Sequence, residues 1–174
     1  MTSTTTIVPF FGTRGSDPAN PDERAFSQWW EHSPFTVDGI GFRTAEHAMM
    51  HGKAMTFRDH AIANQILTVR SPREAKALGR KVADFDAEVW ARVSWGIVLH
   101  ANIAKFTQNR DIASVLLATG DALLVEASPY DKIWGAGICA TDPRIHAGPD
   151  AWPGANRLGQ ILMQVRQRLV QLQD

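Results

Sequence analysis

An acid, an amine and two imidazoles lie within one short segment, residues 44–53, which reads Thr-Ala-Glu-His-Ala-Met-Met-His-Gly-Lys. Glu46 and Lys53 are seven residues apart, close to two helical turns, so a helix would project both from one face. A solvated ion pair is the ordinary interpretation and contributes only about 0–1 kcal/mol. Methionines, alanines and a glycine surround the pair, which is unusual for a solvated face and leaves partial burial as the alternative. Burial perturbs the pKa of ionisable groups, and acid–base catalysis exploits that perturbation.

The same segment raises the question of a metal. His47 and His51 are four residues apart, a spacing that lets two imidazoles share one zinc ion. In the known zinc-binding helix a glutamate directly follows the first histidine, but Ala48 stands there in this sequence. A third ligand motif is also missing from the sequence. We therefore predict no metal and no cofactor.

A second segment with chemical potential is residues 116–137, where polar residues follow an apolar run. Asp131 and Trp134 place an acid beside an aromatic surface, an arrangement that suits a sugar. The Gly-x-Gly formed by Gly135 and Gly137 would let the backbone approach a phosphate, although this motif alone is weak evidence. Asp121 is a candidate site residue in this segment, and the alternative is that it caps a turn.

A third segment, Gly-Ala-Asn-Arg-Leu-Gly at residues 154–159, precedes an amphipathic run. Small residues and an arginine at a helix N-terminus can seat a phosphate. The alternative is that Asn156 caps the helix and Arg157 is solvated.

The elements that must position these residues follow from turn and capping signals. Asp38-Gly39 between apolar arms predicts a hairpin over residues 35–42. Thr44 caps a helix that runs to about Phe57, and Ser71-Pro72 with Glu74 marks another helix start. The remaining predicted elements are helices at 59–67, 86–106, 112–118 and 158–169 and a buried strand at 123–125. The sum predicts a mainly helical α+β fold, a single compact domain over residues 1–174 with a small β-sheet, in which residues 1–25 form a partly loop-like N-terminal extension.

Bulk composition excludes several classes of protein. The chain has 174 residues, 44% of them hydrophobic, which fits one globular domain. Its formal net charge is zero, so no global field draws it to nucleic acid or a membrane surface. One cysteine allows no internal disulfide, Met1–Thr6 is too short for a signal peptide, and no apolar run reaches the roughly 20 residues of a membrane span. We predict a cytoplasmic protein. The sequence has no Gly-x-Ser-x-Gly, P-loop or Cys-x-x-Cys motif.

Residues 26–169 resemble the YbiA-like, or NADAR, family, in order and with ordinary spacing. The residues that carry the resemblance are Phe26-Ser27-Gln28-Trp29, Ser33-Pro34-Phe35, Asp38-Gly39, Thr44-x-Glu46-His47, Lys53, Ala75-Lys76-x-Leu78-Gly79-Arg80, Trp90, Lys105-Phe106-x-Gln108-Asn109, Thr119-Gly120-Asp121, Val125-Glu126-x-Ser128, Asp131, Trp134-Gly135-x-Gly137, Gly154-x-Asn156-x-Leu158-Gly159 and Val165-Arg166.

The resemblance implies a compact, mainly helical N-glycosidase. One branch of the family acts on phosphoribosylamino-pyrimidine intermediates of riboflavin synthesis, and another removes ADP-ribose from guanine bases. Glu46, Lys53 and Asp131 are thereby the predicted catalytic residues. The residues predicted to bind the substrate are Ser27, Trp30, His47, Trp90, Asn109, Asp121, Trp134, Gly135, Gly137 and Asn156. The expected partner is a ribose phosphate substrate, either a small molecule or linked to nucleic acid, and ADP-ribose is the preferred candidate. No membrane partner is expected. The sequence leaves the oligomeric state open.

Both substrate classes join the anomeric carbon to an exocyclic amine that retains a hydrogen. Such a sugar can open to an imine, which gives neutral Lys53 a role as nucleophile and Glu46 a role as proton shuttle. Direct displacement through an oxocarbenium-like state, with two carboxylates, is the alternative mechanism. A non-catalytic ADP-ribose-binding module and a structural interaction protein are the alternative functions.

The chain departs from the family within its first segment. Ala48, Met49, Met50 and His51 stand where members usually carry aromatic residues and glutamines, and Ala54 replaces a frequent phenylalanine. We expect a differently shaped pocket.

Overall fold

A computed structural model describes residues 6–172 of the chain. The described α-helices are α1 (Ala45–Thr56), α2 (His60–Thr68), α3 (Pro72–Gly79), α4 (Ala87–Gln108), α5 (Arg110–Ala118) and α6 (Arg157–Gln171). The described strands are β1 (Ile7–Phe10), β2 (Phe35–Val37), β3 (Ile40–Phe42) and β4 (Leu123–Glu126). The predicted mainly helical α+β fold is confirmed.

The chain forms two compact units. The central unit is Gln28–Asn109, and the terminal unit combines the residues up to Ser27 with those from Arg110 onward. The prediction of a single domain over the whole length stays a prediction.

In the central unit, β2 and β3 form the predicted antiparallel hairpin, with Phe35 opposite Phe42. The φ angles of Asp38 and Gly39 are 50° and 82°, so both turn residues are left-handed, as a type I′ turn requires. Phe35 and Phe42 pack with Ala45, Ala48 and Ala101 in a buried cluster, which fixes the hairpin against α1 and α4.

The predicted caps of α1 and α3 are confirmed, and α4 is capped as well. The Thr44 hydroxyl accepts a hydrogen bond from the backbone amide of His47 at the start of α1. Ser71 and Glu74 form a complete capping box on α3, and Asp86 accepts from two amides at the start of α4. Each such cap stabilises its helix by about 1 kcal/mol.

Gly52 lies inside α1 for a packing reason. A Cβ atom on Gly52 would lie 2.6 Å from Cγ2 of Ile97 on α4, a distance that real contacts do not reach. The glycine therefore permits close approach of α1 and α4, which offsets its helix-propensity cost of about 1 kcal/mol.

The buried face of α4 is not a purely apolar stripe. Val98 and Ala101 are buried, but Val89, Val93 and Ile97 are half-buried. The buried face also contains polar residues, namely Ser94, Asn102 and Lys105.

In the terminal unit, β1 pairs in parallel with β4, with Ile7 opposite Leu123. The sequence interpretation missed β1, since it treated residues 1–25 as a partly loop-like extension. Val125 of β4 belongs to a buried cluster with Ala136, Ile145 and Trp152. The backbone carbonyl oxygens of residues 132–136 accept hydrogen bonds from the backbone amides of residues 154–158, at and just before the start of α6.

No helix among residues 6–172 is long and apolar enough to cross a membrane. The cytoplasmic location stays a prediction.

Candidate active site

Glu46 is a buried acid at the start of α1, with 5% of its surface exposed. Its backbone amide donates to the carbonyl oxygen of Gln28 at 3.0 Å, which fixes the first turn of the helix. The partial positive charge of a helix N-terminus favours a carboxylate at this position. A burial of this extent excludes the interpretation of Glu46 as half of a solvated ion pair.

The Lys53 amine lies seven residues further along α1, on the same face. Its Nζ donates a hydrogen bond of 2.8 Å to the carbonyl oxygen of Gly79 at the end of α3. Two aromatic rings are also near this nitrogen: the Phe85 centroid is 4.1 Å away and the Trp90 centroid 6.0 Å away. Lys53 is therefore held at a fixed place beside two aromatic surfaces.

The environment makes this amine easier to deprotonate. Desolvation by burial lowers the pKa of Lys53 from its ordinary value, and the positive charge of Arg80 lowers it further. A lower pKa raises the fraction of neutral amine at physiological pH, which is the form that attacks carbon.

Three contributors to the Lys53 site have no assigned role in the sequence interpretation, namely the Phe85 ring, the Gly79 carbonyl and the Arg80 charge. Phe85 is 47% exposed and packs edge to face on Phe57, with ring centroids 5.4 Å apart. The chain turn before α4 holds this ring in place, since the Ala83 amide donates to the Asp59 carboxylate at 3.0 Å. Only the pair Gly79-Arg80 carried a signal, as part of the family resemblance.

His47 is committed to the local structure. Its Nδ1 lies 2.8 Å from the Thr44 hydroxyl, its Nε2 lies 3.2 Å from the carbonyl oxygen of Val69, and it is 2% exposed. Desolvation lowers the pKa of His47. Both ring nitrogens are thus used within the fold, which leaves neither for a substrate.

Two other predicted substrate ligands in the central unit support the fold in the same way. Trp30 is 1% exposed and donates through Nε1 to the Ser33 hydroxyl, so its ring offers no face to a substrate. The Asn109 side chain donates to the carbonyl oxygens of Pro34 and Lys105 at the end of α4. Trp90, half-buried beside Lys53, keeps a position suited to stacking.

The terminal unit holds the third predicted catalytic residue. Asp131 Oδ1 accepts hydrogen bonds from the backbone amides of Ile133 and Trp134, both at 2.8 Å. The carboxylate therefore shapes the loop that carries Trp134. One face of the Trp134 ring is covered by the Arg157 guanidinium, whose central carbon is 4.6 Å from the ring centroid.

The glycines of this loop allow backbone segments to approach each other. A Cβ on Gly135 would lie 2.9 Å from the Asp131 carbonyl oxygen, and Gly137 has a φ of +72°. The amides of Arg157 and Leu158 at the start of α6 donate to the carbonyl oxygens of residues 133 and 134. These amides are therefore not available as the phosphate seat that the sequence suggested.

Asn156 neither caps α6 nor faces solvent. Its side-chain oxygen accepts from the Glu126 amide, its nitrogen donates to the Leu124 carbonyl oxygen, and it is 3% exposed. The side chain thus clamps β4. Asp121 is exposed near Arg166, whose pKa it raises against the larger lowering by desolvation, and Ser27 is buried at 5% exposure.

Among residues 6–172, no group of three or more histidine, cysteine, aspartate and glutamate side chains could hold an ion.

The chain matches a known protein family over most of its length. The NADAR domain model matches residues 14–170. The chain belongs to the NADAR family. The expected family is thereby confirmed.

Two curated relatives of this chain are named as N-glycosidases. An N-glycosidase of Acanthamoeba polyphaga mimivirus is 38% identical over 146 residues, 82% of this chain and 85% of the relative. The N-glycosidase YbiA of Escherichia coli is 33% identical over 164 residues, 94% of this chain and 89% of the relative. This chain is accordingly an enzyme, a hydrolase of N-glycosyl compounds.

The fold agrees with a solved structure. The NMR structure of the E. coli protein YbiA matches with a TM-score of 0.75 and 30% sequence identity, covering 98% of this chain and 88% of that one.

Proposed function

We propose that this N-glycosidase hydrolyses the bond between ribose C1 and an exocyclic amine, with ADP-ribosylated guanine as its substrate. The observation that carries the proposal is the Lys53 amine, whose lowered pKa and aromatic surroundings combine on the face of α1 that also bears buried Glu46. A protein that only bound ADP-ribose would gain nothing from a lysine whose pKa is lowered toward the neutral form.

The chemistry requires a substrate whose sugar opens. When C1 carries an amine that retains a hydrogen, the ring opens to an imine without loss of the base. Neutral Lys53 adds to C1 of that imine and gives an intermediate with two nitrogens on C1. Protonation of the base nitrogen then expels the base as a free amine and leaves a Schiff base between Lys53 and the sugar. Water hydrolyses the Schiff base and restores Lys53, so the net reaction consumes one water.

Glu46 is the proposed proton carrier for these steps. Its Cα lies about 10.5 Å from that of Lys53 along the helix axis, given a rise of about 1.5 Å per residue. Both side chains can bracket a sugar carbon from that spacing, because each reaches several ångströms from its Cα. Glu46 would give its proton to the departing base nitrogen and recover one from the attacking water.

The aromatic residues supply the proposed base-recognition surface. Phe85 and Trp90 lie on the side of Lys53, and Phe85 is exposed enough to receive a planar base. Base–aromatic stacking contributes about 1–3 kcal/mol for each base. From the family resemblance we also propose that Asp131 holds the ribose hydroxyls or assists ring opening.

The second candidate substrate is a phosphoribosylamino-pyrimidine, which has the same exocyclic amine. One assay separates the candidates: purified enzyme is incubated with ADP-ribosylated guanine DNA and, separately, with the pyrimidine compound, and free base or unmodified guanine is measured. We expect release from the guanine substrate, with activity lost in Lys53→Met and Glu46→Gln and kept in the exposed control Lys81→Met. Release only from the pyrimidine compound would transfer the assignment to that substrate. Release from neither, with tight ADP-ribose binding, would make the protein a binding module.

A further inference from the structure

A cavity of about 250 Å³ lies within the central unit, away from the face of α1 that carries Glu46 and Lys53. Met55 is nine residues from Glu46, which is two and a half helical turns, so the two side chains project in opposite directions. The residues that line the cavity come from the hairpin, α1 and α4: Val37, Asp38, Ile40, Phe42, Ala48, His51, Gly52, Met55, Ile97, His100 and Ala101.

His51 is the buried polar residue of this lining, whereas the other two polar residues, Asp38 and His100, are exposed. It is 9% exposed, and its ring packs edge to face on Phe42, with centroids 5.3 Å apart. Within residues 6–172, the imidazole nitrogens form no hydrogen bond, and burial alone lowers the pKa of His51. The two buried side-chain atoms without a partner among residues 6–172 are Gln28 Nε2 and Asn102 Oδ1, so the His51 nitrogens keep accessible surface where the ring lines the cavity. A hydrogen-bond donor on a ligand in the cavity can therefore reach the ring.

The exposed end of the cavity constrains the charge of its ligand. Asp38 and His100 lie there with side chains 85% and 63% exposed, and their nearest charged atoms are 4.0 Å apart. The Asp38 carboxylate disfavours an anion, and the apolar walls disfavour a cation that would leave water. A neutral ligand fits best.

The volume sets the size of the ligand. An apolar cavity of about 150 Å³ is known to hold benzene, which has six heavy atoms. In proportion, the cavity of this protein holds about ten heavy atoms. That size matches two fused aromatic rings.

We propose that this cavity is a second binding site, which takes a neutral bicyclic aromatic molecule whose one N–H group donates a hydrogen bond to His51. Indole has this size and this single donor. The site is independent of the proposed N-glycosidase chemistry, because its residues do not include Glu46 or Lys53.

The test compares indole with indene, which has the same shape and lacks the N–H group. Protein labelled with ¹³C at the methionine methyl groups is titrated with each compound, and the Met55 signal reports on the cavity. We expect saturable binding of both, with indene weaker by roughly 2- to 12-fold, as the loss of one net hydrogen bond predicts.

Three variants decide what the titrations mean. His51→Leu should bind indole and indene with equal affinity, whereas Lys53→Met should keep the wild-type difference. Ala48→Leu should fill the cavity and abolish both responses, and if it does not fold, the His51→Leu comparison decides alone. The proposal is overturned if indole causes no saturable change up to its solubility, or if the wild type does not distinguish the two compounds.

Discussion

Lys105 is a fully buried lysine on α4 whose ionisation should control the pH dependence of stability. It is 0% exposed, and desolvation lowers its pKa from 10.5 to about 7. Between these two values the unfolded chain binds a proton at Lys105 that the folded chain lacks. Protonation of the unfolded chain therefore favours unfolding at the lower end of this range. The free energy of unfolding rises as the pH rises from 7 toward 10.5.

The magnitude follows from the pKa difference. Each pKa unit corresponds to about 1.36 kcal/mol. Because the pKa of Lys105 falls from 10.5 to about 7, the free energy of unfolding should increase by about 5 kcal/mol between pH 7 and pH 10.5. Replacement by methionine keeps the length of the side chain and removes the titrating group. A change in the packing of the alkyl chain adds a pH-independent constant to the difference between the two proteins, so the pH dependence identifies the effect of the titrating amine.

The assay is urea unfolding of wild type and Lys105→Met at several pH values from 6 to 10. The difference in free energy of unfolding should change in favour of the wild type as the pH rises, with a slope approaching 1.36 kcal/mol per unit. Lys81→Met removes the same charge from an exposed position and should show no such trend. A pH-independent difference between wild type and Lys105→Met would refute the reasoning.

Three further predictions concern activity and packing. Arg80→Gln removes the positive charge that helps to lower the pKa of Lys53, so that pKa should rise and the acidic limb of the kcat/KM–pH profile should move to higher pH. Gly79→Ala places a Cβ 2.1 Å from the Met50 sulfur, so it should lower the free energy of unfolding by about 1–3 kcal/mol, and a double-mutant cycle with Met50→Ala should show favourable coupling. Asn156→Ala removes two hydrogen bonds to β4 and should cost about 1–3 kcal/mol in urea unfolding; no loss of stability would show that the clamp is dispensable.

Local signals predicted most of the central unit. The Asp38-Gly39 turn and the caps at Thr44 and Ser71 depend on residues within a few positions of each other, and all three are confirmed. Strand β1 was missed because it contains Pro9 and because its partner β4 lies more than 100 residues later in the chain. A two-stranded parallel pair of that kind has no local signature.

The same distinction applies to the candidate site. The shared face of Glu46 and Lys53 follows from spacing alone. Phe85 could not be assigned a role from the sequence, because it lies in the loop before α4, far from Lys53 along the chain. Tertiary packing brings its ring to the Lys53 amine. Asn156 looked like a helix cap, but its left-handed φ of 48° turns its side chain into hydrogen bonds with β4.

Covalent capture of the substrate on Lys53 tests the central claim most directly. Borohydride is added while the enzyme turns over ADP-ribosylated guanine, which reduces a Schiff base to a stable amine, and the modified peptide is mapped by mass spectrometry. The proposed mechanism predicts sugar attached to Lys53 in wild type and no trapped product in Lys53→Met. An unmodified Lys53 during turnover, or trapping at another lysine, would contradict the mechanism and favour direct displacement of the base by water.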